Sequence, residues 1–377
     1  MTGDRGKTNE RFMIRTTNRR IKSCGSITFD PKYNQPNLSV LIGISLNENP
    51  NKPPIDDQIP AALTEKLADV EPSVEIRSIG QQLLSSCFRF LRRLLVVAVV
   101  VYLMMFACMA LFENRVLYQG AKYSADIWKP EQQGFTEAEF TAADGTKLFG
   151  WYLPLQGEGD APEEVAESVR PRTILHCHGN AENIAQVGLF TSKQFSRVLQ
   201  ANVFSFDYRG FGKSEGSAHE AGLQQDADAA LAWICEQDKV KPTDVIIVGR
   251  SLGGGVACYL AQKHGCKALI LQRTFSSLPD AAARKYWMFP VRWVMQNEMD
   301  SMKAIKHCDV PLFQSHGDAD TLIPIDLGKK LFDNSPSANK KFLEVPGMTH
   351  IHPLPESYWT ELEAFFEQVD PRAPVQE

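Results

Sequence analysis

Three regimes of hydrophobic patterning follow one another along the chain. Over residues 1 to about 80, Asn, Pro, Lys and Glu dominate and no helical or strand period persists, which predicts disorder. The exception is "LSVLIGISL", a short apolar run with the character of a docking strand. Residues 94–112, "LLVVAVVVYLMMFACMALF", then form an uncharged stretch about as long as a bilayer's hydrocarbon core is thick. We read it as a transmembrane helix, because the apolar core of a cleaved signal peptide runs to only about 7–15 residues.

From about residue 135 the pattern changes again. "FTEAEFTAADGTKLFGWYLPL" reads as a hairpin turning at Asp144 and Gly145. Strand-like runs follow in "TILHC", "NVFSFD", "DVIIVG", "KALILQ", "VPLFQSH" and "KFLEVP", with helical patterns such as "AGLQQDADAALAWICEQ" between them. Continuous apolar strands joined by helical crossovers predict an α/β domain whose central sheet is mostly parallel and covered by helices on both faces. The expected organisation is a disordered segment (1–80), a basic juxtamembrane segment (81–93), a transmembrane helix (94–112), a main α/β domain (113–370) and a short tail (371–377).

Charge adds an orientation. Arg89, Arg92 and Arg93 abut the N-terminal end of the apolar stretch, while Arg115 and Lys122 lie farther beyond its other end. The positive-inside bias predicts a cytoplasmic N-terminus and an extracytoplasmic main domain. Tyr118, Tyr123 and Trp128 would suit the interface beyond the helix. The chain has 377 residues and a net charge of -5, and its main domain has no cluster of Lys and Arg, so a nucleic-acid partner is not expected. Its eight cysteines are scattered without a C-x-x-C pair and read as buried free thiols.

The chemistry centres on "GRSLG", a G-x-S-x-G pattern formed by Gly249, Ser251 and Gly253. Chance alone yields such a pattern in roughly one chain in ten at about 7% usage per residue. Its context gives it meaning, because it follows the strand "DVIIV" and precedes the helical run "GVACYLAQKH". A sharp strand-to-helix turn would hold the Ser251 hydroxyl at the sheet's C-terminal edge, with the helix N-terminus behind it favouring an anion.

Serine needs a base, and the candidates are His350 and His352 in "PGMTHIHP". His350 is favoured because it follows the last strand by a short loop. An acid must orient the imidazole, and "SHGDADTLIP" offers Asp318 and Asp320, of which Asp318 reads rather as a cap for the following helix. The chain order Ser, Asp, His is the one expected for an elbow of this kind. Oxyanion donors are expected from the backbone N–H of Leu252 and of Asn180, with Gly179 allowing close approach.

Asp207 and Arg209 in "DYRGFGKSEG" read as scaffold that ties a loop to the sheet. A zinc site built from His176, His178, His350, His352, Asp318 and Asp320 is the weaker alternative, since it leaves the serine elbow unexplained. No cofactor or metal is therefore expected. The aromatic insertion containing Tyr286, Trp287, Phe289 and Trp293 would wall an acyl pocket, touch the membrane or simply pack a helix.

Taken in order and after one apolar segment, "HGNAEN", "DYRGFGKSEG", "GRSLGGG", "HGDADTLIP" and "GMTH" resemble the membrane-anchored α/β-hydrolase-fold serine hydrolases, over about residues 113–370. The resemblance implies Asp320 as triad acid and His350 as base. It also implies hydrolysis of esters or thioesters of acylglycerols, lysophospholipids or acylated proteins, in the manner of lipases, esterases and depalmitoylases. The long N-terminal segment departs from the short start usual there. The other readings are a serine peptidase of the same fold and a binding protein that keeps the fold without catalysis.

Overall fold

A computed structural model of the chain describes residues 74–155 and 170–371. The expected disorder and docking strand before residue 74, and the tail after 371, lie outside these residues. The chain divides into two compact units, Met1–Gln81 and Gln82–Glu377.

The apolar stretch is helical, as its composition demands. Helix α1 (Val74–Leu111) begins earlier than the apolar run predicts and includes the basic juxtamembrane residues. Its Ser78–Leu111 part is long and apolar enough to cross a membrane, with a mean hydropathy of 2.8 over an 18-residue window in which no residue is buried. Cys87 and Cys108 lie exposed on it, against the expectation of buried thiols, whereas Cys177, Cys258, Cys266 and Cys308 are buried. A short helix α2 (Glu113–Leu117) follows.

Eight strands form one sheet: β1 (Thr136–Thr141), β2 (Lys147–Leu153), β3 (Arg172–Cys177), β4 (Ala201–Asp207), β5 (Val245–Arg250), β6 (Ala268–Gln272), β7 (Leu312–Gly317) and β8 (Lys340–Val345). Their spatial order is β1-β2-β4-β3-β5-β6-β7-β8. The hairpin β1–β2 and the β2–β4 pair are antiparallel and every later pairing is parallel. The hairpin turns where expected, with Gly145 at φ 88° and the Asp144 carboxylate accepting the Thr146 N–H.

The central parallel strands β3, β5 and β6 carry apolar runs because they feed two cores. Leu175, Ile247, Leu269 and Leu271 point to one face, beneath α4 (Glu220–Asp238) and α5 (Leu252–His264), while Ile174, Ile246, Val248 and Ile270 point to the other. That second face is covered by α3 (Leu189–Leu199) and α9 (Glu356–Val369), whose Phe195, Tyr358, Trp359, Leu362 and Phe366 are buried there. Helices α6 (Leu278–Lys285), α7 (Ser301–Ile305) and α8 (Ile325–Asp333) complete the first face.

Chain order reverses between β3 and β5: β4 lies on one side of β3 and β5 on the other. Open sheets of this kind hold their ligands in the crevice outside such a reversal, at the carboxyl ends of the strands.

Two aromatic assignments need correction. Tyr118 and Trp128 are only 8% and 7% exposed and do not reach an interface. Tyr118 donates its hydroxyl hydrogen bond to Asn297, and Trp128 packs edge-on against Trp151. Their indole and phenol rings find partners in the domain, which outweighs any interfacial preference. Tyr123 alone of the three remains exposed.

Candidate active site

Ser251 stands between β5 and α5 at φ 54° and ψ −115°, a strained conformation for a side chain with a Cβ. The surroundings hold it there. Its N–H donates to the Gln272 carbonyl at 2.8 Å, and its own carbonyl accepts from the Thr274 hydroxyl at 2.8 Å and from the Gly254 N–H at 3.0 Å. The flanking glycines follow from close backbone approach. A Cβ on Gly249 would come within 2.6 Å of the Ala257 Cβ, and one on Gly253 would run into the carbonyl oxygens of Cys177 and His178 at the end of β3. The first turn of α5 is thereby pressed against the sheet.

The base and the acid converge on this serine. His350 Nε2 lies 2.9 Å from Ser251 Oγ, and His350 Nδ1 lies 2.7 Å from Asp320 Oδ2. A carboxylate only accepts, so Nδ1 carries the hydrogen and Nε2 is left to accept the serine proton. Asp320 is buried, and its other oxygen accepts the N–H groups of Leu322 at 3.0 Å and Ile323 at 2.9 Å. Burial works against the ionised carboxyl. Hydrogen bonds from His316, His350 and the Ile323 N–H outweigh it and hold Asp320 well below the usual carboxylate range.

Of the alternatives left open by the sequence, His352 turns away and accepts the Thr349 N–H through Nδ1. Asp318 does not cap a helix. Its carboxylate accepts the Gly347 N–H at 2.6 Å, tying the loop after β7 to the loop that carries His350. Gly317 serves the same junction, since a Cβ there would collide with the Met348 backbone.

Asn180 is committed through its side chain. Its amide donates to the Leu117 carbonyl and accepts the Gln119 N–H, fixing the loop after β3 against the end of α2. The Gly179 N–H donates to the Glu182 carboxylate, which also pairs with Arg250, the residue before the elbow. Leu252 is the first residue of α5, where a backbone N–H has no partner within the helix. Both Asn180 and Leu252 border a cavity of about 390 Å³ that contains Ser251 and His350. Tyr286, Leu322 and Ile351 form part of its apolar wall.

Asp207 and Arg209 are scaffold, as expected. Buried Arg209 pairs with Asp226 of α4 at 2.8 Å and with Asp144 of the hairpin turn at 2.7 Å, and Asp207 accepts the Ile184 N–H. The residues of the zinc alternative separate: His176 faces Ser205, His178 faces the Gly179 carbonyl and Asp207, and His350 faces Ser251. Among the described residues, no three His, Cys, Asp or Glu side chains are arranged to hold a metal ion.

Two participants escaped sequence reasoning. His316 donates from Nε2 to the Ile323 carbonyl at 2.8 Å and sits 3.5 Å from Asp320 Oδ2, bracing the acid. Arg273 is fully buried at φ 49°, and its guanidinium donates to the carbonyl of His350 at 2.6 Å. Burial and the neighbouring Arg250 push its pKa down to about 10, which leaves it charged at neutral pH. Arg273 lies in no recognisable motif position, and His316, although it opens "HGDADTLIP", gave no sign of its role beyond its place at the carboxyl end of an apolar strand.

A family model described as the α/β hydrolase fold matches residues 172–304. The chain is 34% identical over 234 residues to the uncharacterized protein YfhR of Escherichia coli O157:H7, covering 61% of this chain and 76% of that one. The chain belongs to the α/β-hydrolase fold family. This hydrolase-fold chain is also 29% identical over 273 residues to the uncharacterized membrane protein YNL320W of Saccharomyces cerevisiae, covering 67% of this chain and 88% of that protein. Among solved structures it is similar to the Pyrococcus furiosus esterase Pf2001, with a TM-score of 0.52 at 18% identity over 67% of this chain and 98% of the esterase. That likeness concerns the fold.

Proposed function

We propose that this α/β-hydrolase-fold chain is a membrane-anchored serine hydrolase that cleaves carboxylic esters or thioesters through an acyl-enzyme. The observation that carries the reading is the chain of contacts from Ser251 Oγ to His350 Nε2 at 2.9 Å and from His350 Nδ1 to Asp320 at 2.7 Å, at a strained elbow inside a cavity.

In this reading, His350 takes the Ser251 proton as Oγ attacks the acyl carbon, and the imidazolium that forms is stabilised by Asp320. The oxyanion of the tetrahedral intermediate accepts from the N–H groups of Leu252 and Asn180. His350 then gives its proton to the departing alcohol or thiol, leaving the acyl group on Ser251. Water, deprotonated by the same imidazole, attacks the ester and releases the acid, and the proton returns to Oγ. No metal or cofactor takes part.

The anchor is α1, which would cross the bilayer with the basic cluster Arg89, Arg92 and Arg93 on the cytoplasmic side and the hydrolase domain, about residues 113–370, outside. The yeast relative is named a membrane protein, which supports membrane attachment. An anchored enzyme with an apolar cavity wall suits an amphiphilic acyl substrate.

Labelling of the detergent-solubilised protein with a fluorophosphonate tests the chemistry. Wild type is expected to label, and Ser251→Ala and His350→Ala are not. A folded wild type that stays unlabelled overturns the proposal.

A further inference from the structure

The segment Tyr286–Met295, "YWMFPVRWVM", runs between α1 and the domain, with Met295 packed on the core. Met288 accepts a hydrogen bond from the Tyr102 hydroxyl at 2.8 Å, and the Phe289 ring stacks on Tyr102 at 5.0 Å and on Phe106 at 6.1 Å. Just past the segment, the Gln296 and Asn297 N–H groups donate to the Glu113 carboxylate. The strap is thus fixed to α1 at Tyr102 and Phe106, and its far end is tied to the start of α2. Tyr102 is nine residues before the end of α1, about 13 Å deeper along the helix axis.

What the strap presents outward is apolar. Trp287, Met288 and Trp293 are 78%, 60% and 88% exposed, beside a helix flank of exposed Leu, Val and Met. Much of its backbone is satisfied internally. The N–H groups of Tyr286, Phe289, Val291, Trp293 and Met295 all donate to carbonyls within or just before the segment, and Pro290 has none to satisfy. The single charge, Arg292, pairs with Asp280 at 2.9 Å. Any bilayer crossed by α1 at the level of Tyr102 also contains the strap.

Between strap and helix lies a narrow crevice of about 30 Å³ lined by Phe106, Met109, Val294 and Met295. It and the Ser251 cavity share Val116, Leu117, Ala282 and Tyr286 in their walls. We propose that the Tyr286–Met295 strap inserts into the lipid beside α1, and that the crevice between them leads the acyl chain of a membrane-resident ester to Ser251. This rests on the hydrolase reading above. The occupant of the exposed face is phospholipid acyl chain, by continuity with the exposed flank of the spanning helix.

The test uses the full chain in phosphatidylcholine vesicles, with and without brominated acyl chains. Bromolipid is expected to quench part of the wild-type tryptophan fluorescence, and that part is absent in Trp287→Ser/Trp293→Ser. Equal quenching in both proteins places the strap in water or against a second copy, and overturns the proposal. Hydrolysis of a long-chain ester dissolved in the vesicle is expected to fall at least about tenfold in the double variant, with turnover of a soluble butyrate ester retained. Val294→Trp, which fills the crevice, is expected to lower the ratio of long-chain to butyrate turnover. A parallel fall for both esters in both variants refutes delivery through the crevice. Fluorophosphonate labelling of Ser251 in each variant keeps the two readings apart: an unlabelled wild type defeats the hydrolase reading, while quenching still reports insertion.

Discussion

Replacing Asp320 by Asn changes one oxygen for one amide and inverts the logic of the triad. The carboxylate receives only donors: the N–H groups of Leu322 and Ile323 on Oδ1, His350 Nδ1 on Oδ2, and His316 at 3.5 Å. An amide has one acceptor oxygen, and the two loop N–H groups hold it. The amide NH₂ then faces His350 Nδ1, which must become an acceptor, so the hydrogen moves to Nε2 and the base points a proton at Ser251. The lost charge adds to the wrong tautomer. Charge centres about 4 Å apart at an effective dielectric of about 20 interact by about 4 kcal/mol, or roughly three decades in rate. With the tautomer reversed as well, kcat is expected to fall by about 10⁴. The assay is turnover of a soluble nitrophenyl ester, alongside the rate of fluorophosphonate labelling and a melting curve to establish folding. Asp318→Asn is the control. It keeps an acceptor for the Gly347 N–H, has no contact with His350, and is expected to stay within a few-fold of wild type. A folded Asp320→Asn within tenfold of wild type refutes the assignment of the acid.

Arg273→Met removes the guanidinium that grips the His350 carbonyl; loss of a charge-assisted bond worth about 1.5–3 kcal/mol predicts a fall in kcat of roughly 10–100-fold with KM little changed, read from steady-state kinetics on the same ester. A KM effect of the same size would place Arg273 in substrate binding instead. Gly253→Ala forces a Cβ into the Cys177 and His178 carbonyls, which belong to rigid backbone, and is expected to cost about 3 kcal/mol or more, seen as a large drop in Tm or loss of folded protein. Because the folded state lowers the pKa of Asp320 below its unfolded value near 3.9, its ionised form stabilises the fold above that value, and the contribution is lost as pH falls through the folded pKa. The Tm gap between wild type and Asp320→Asn is therefore expected to stay constant above about pH 5, to start narrowing near pH 4 and to go on narrowing through pH 3 and below, and a gap independent of pH contradicts this origin.

What the sequence disclosed follows a physical division between local and distant causes. The short apolar runs of the main domain became strands because burial on both faces favours apolar residues at successive positions, as Ile246, Ile247 and Val248 show by supplying two different cores. The elbow was legible for the same reason, since the glycines around Ser251 answer to the turn they occupy. Where the partner lay far along the chain, pattern alone failed. Nothing near Arg273 in sequence signals that its guanidinium holds a carbonyl 77 residues later, and Asp318 looked like a helix cap because its true partner, Gly347, is 29 residues away. Tyr118 and Trp128 were misplaced by proximity to the apolar stretch. Residues soon after a helix are expected at its interface, yet the fold draws these two inward and returns Phe289 to the helix flank instead. The arrangement of Ser251, His350 and Asp320 spans 99 residues, so no periodicity records it. It was legible only because the parallel sheet places its catalytic candidates at the carboxyl ends of strands in a set chain order, a constraint of topology that survives in the sequence as the order Ser, Asp, His.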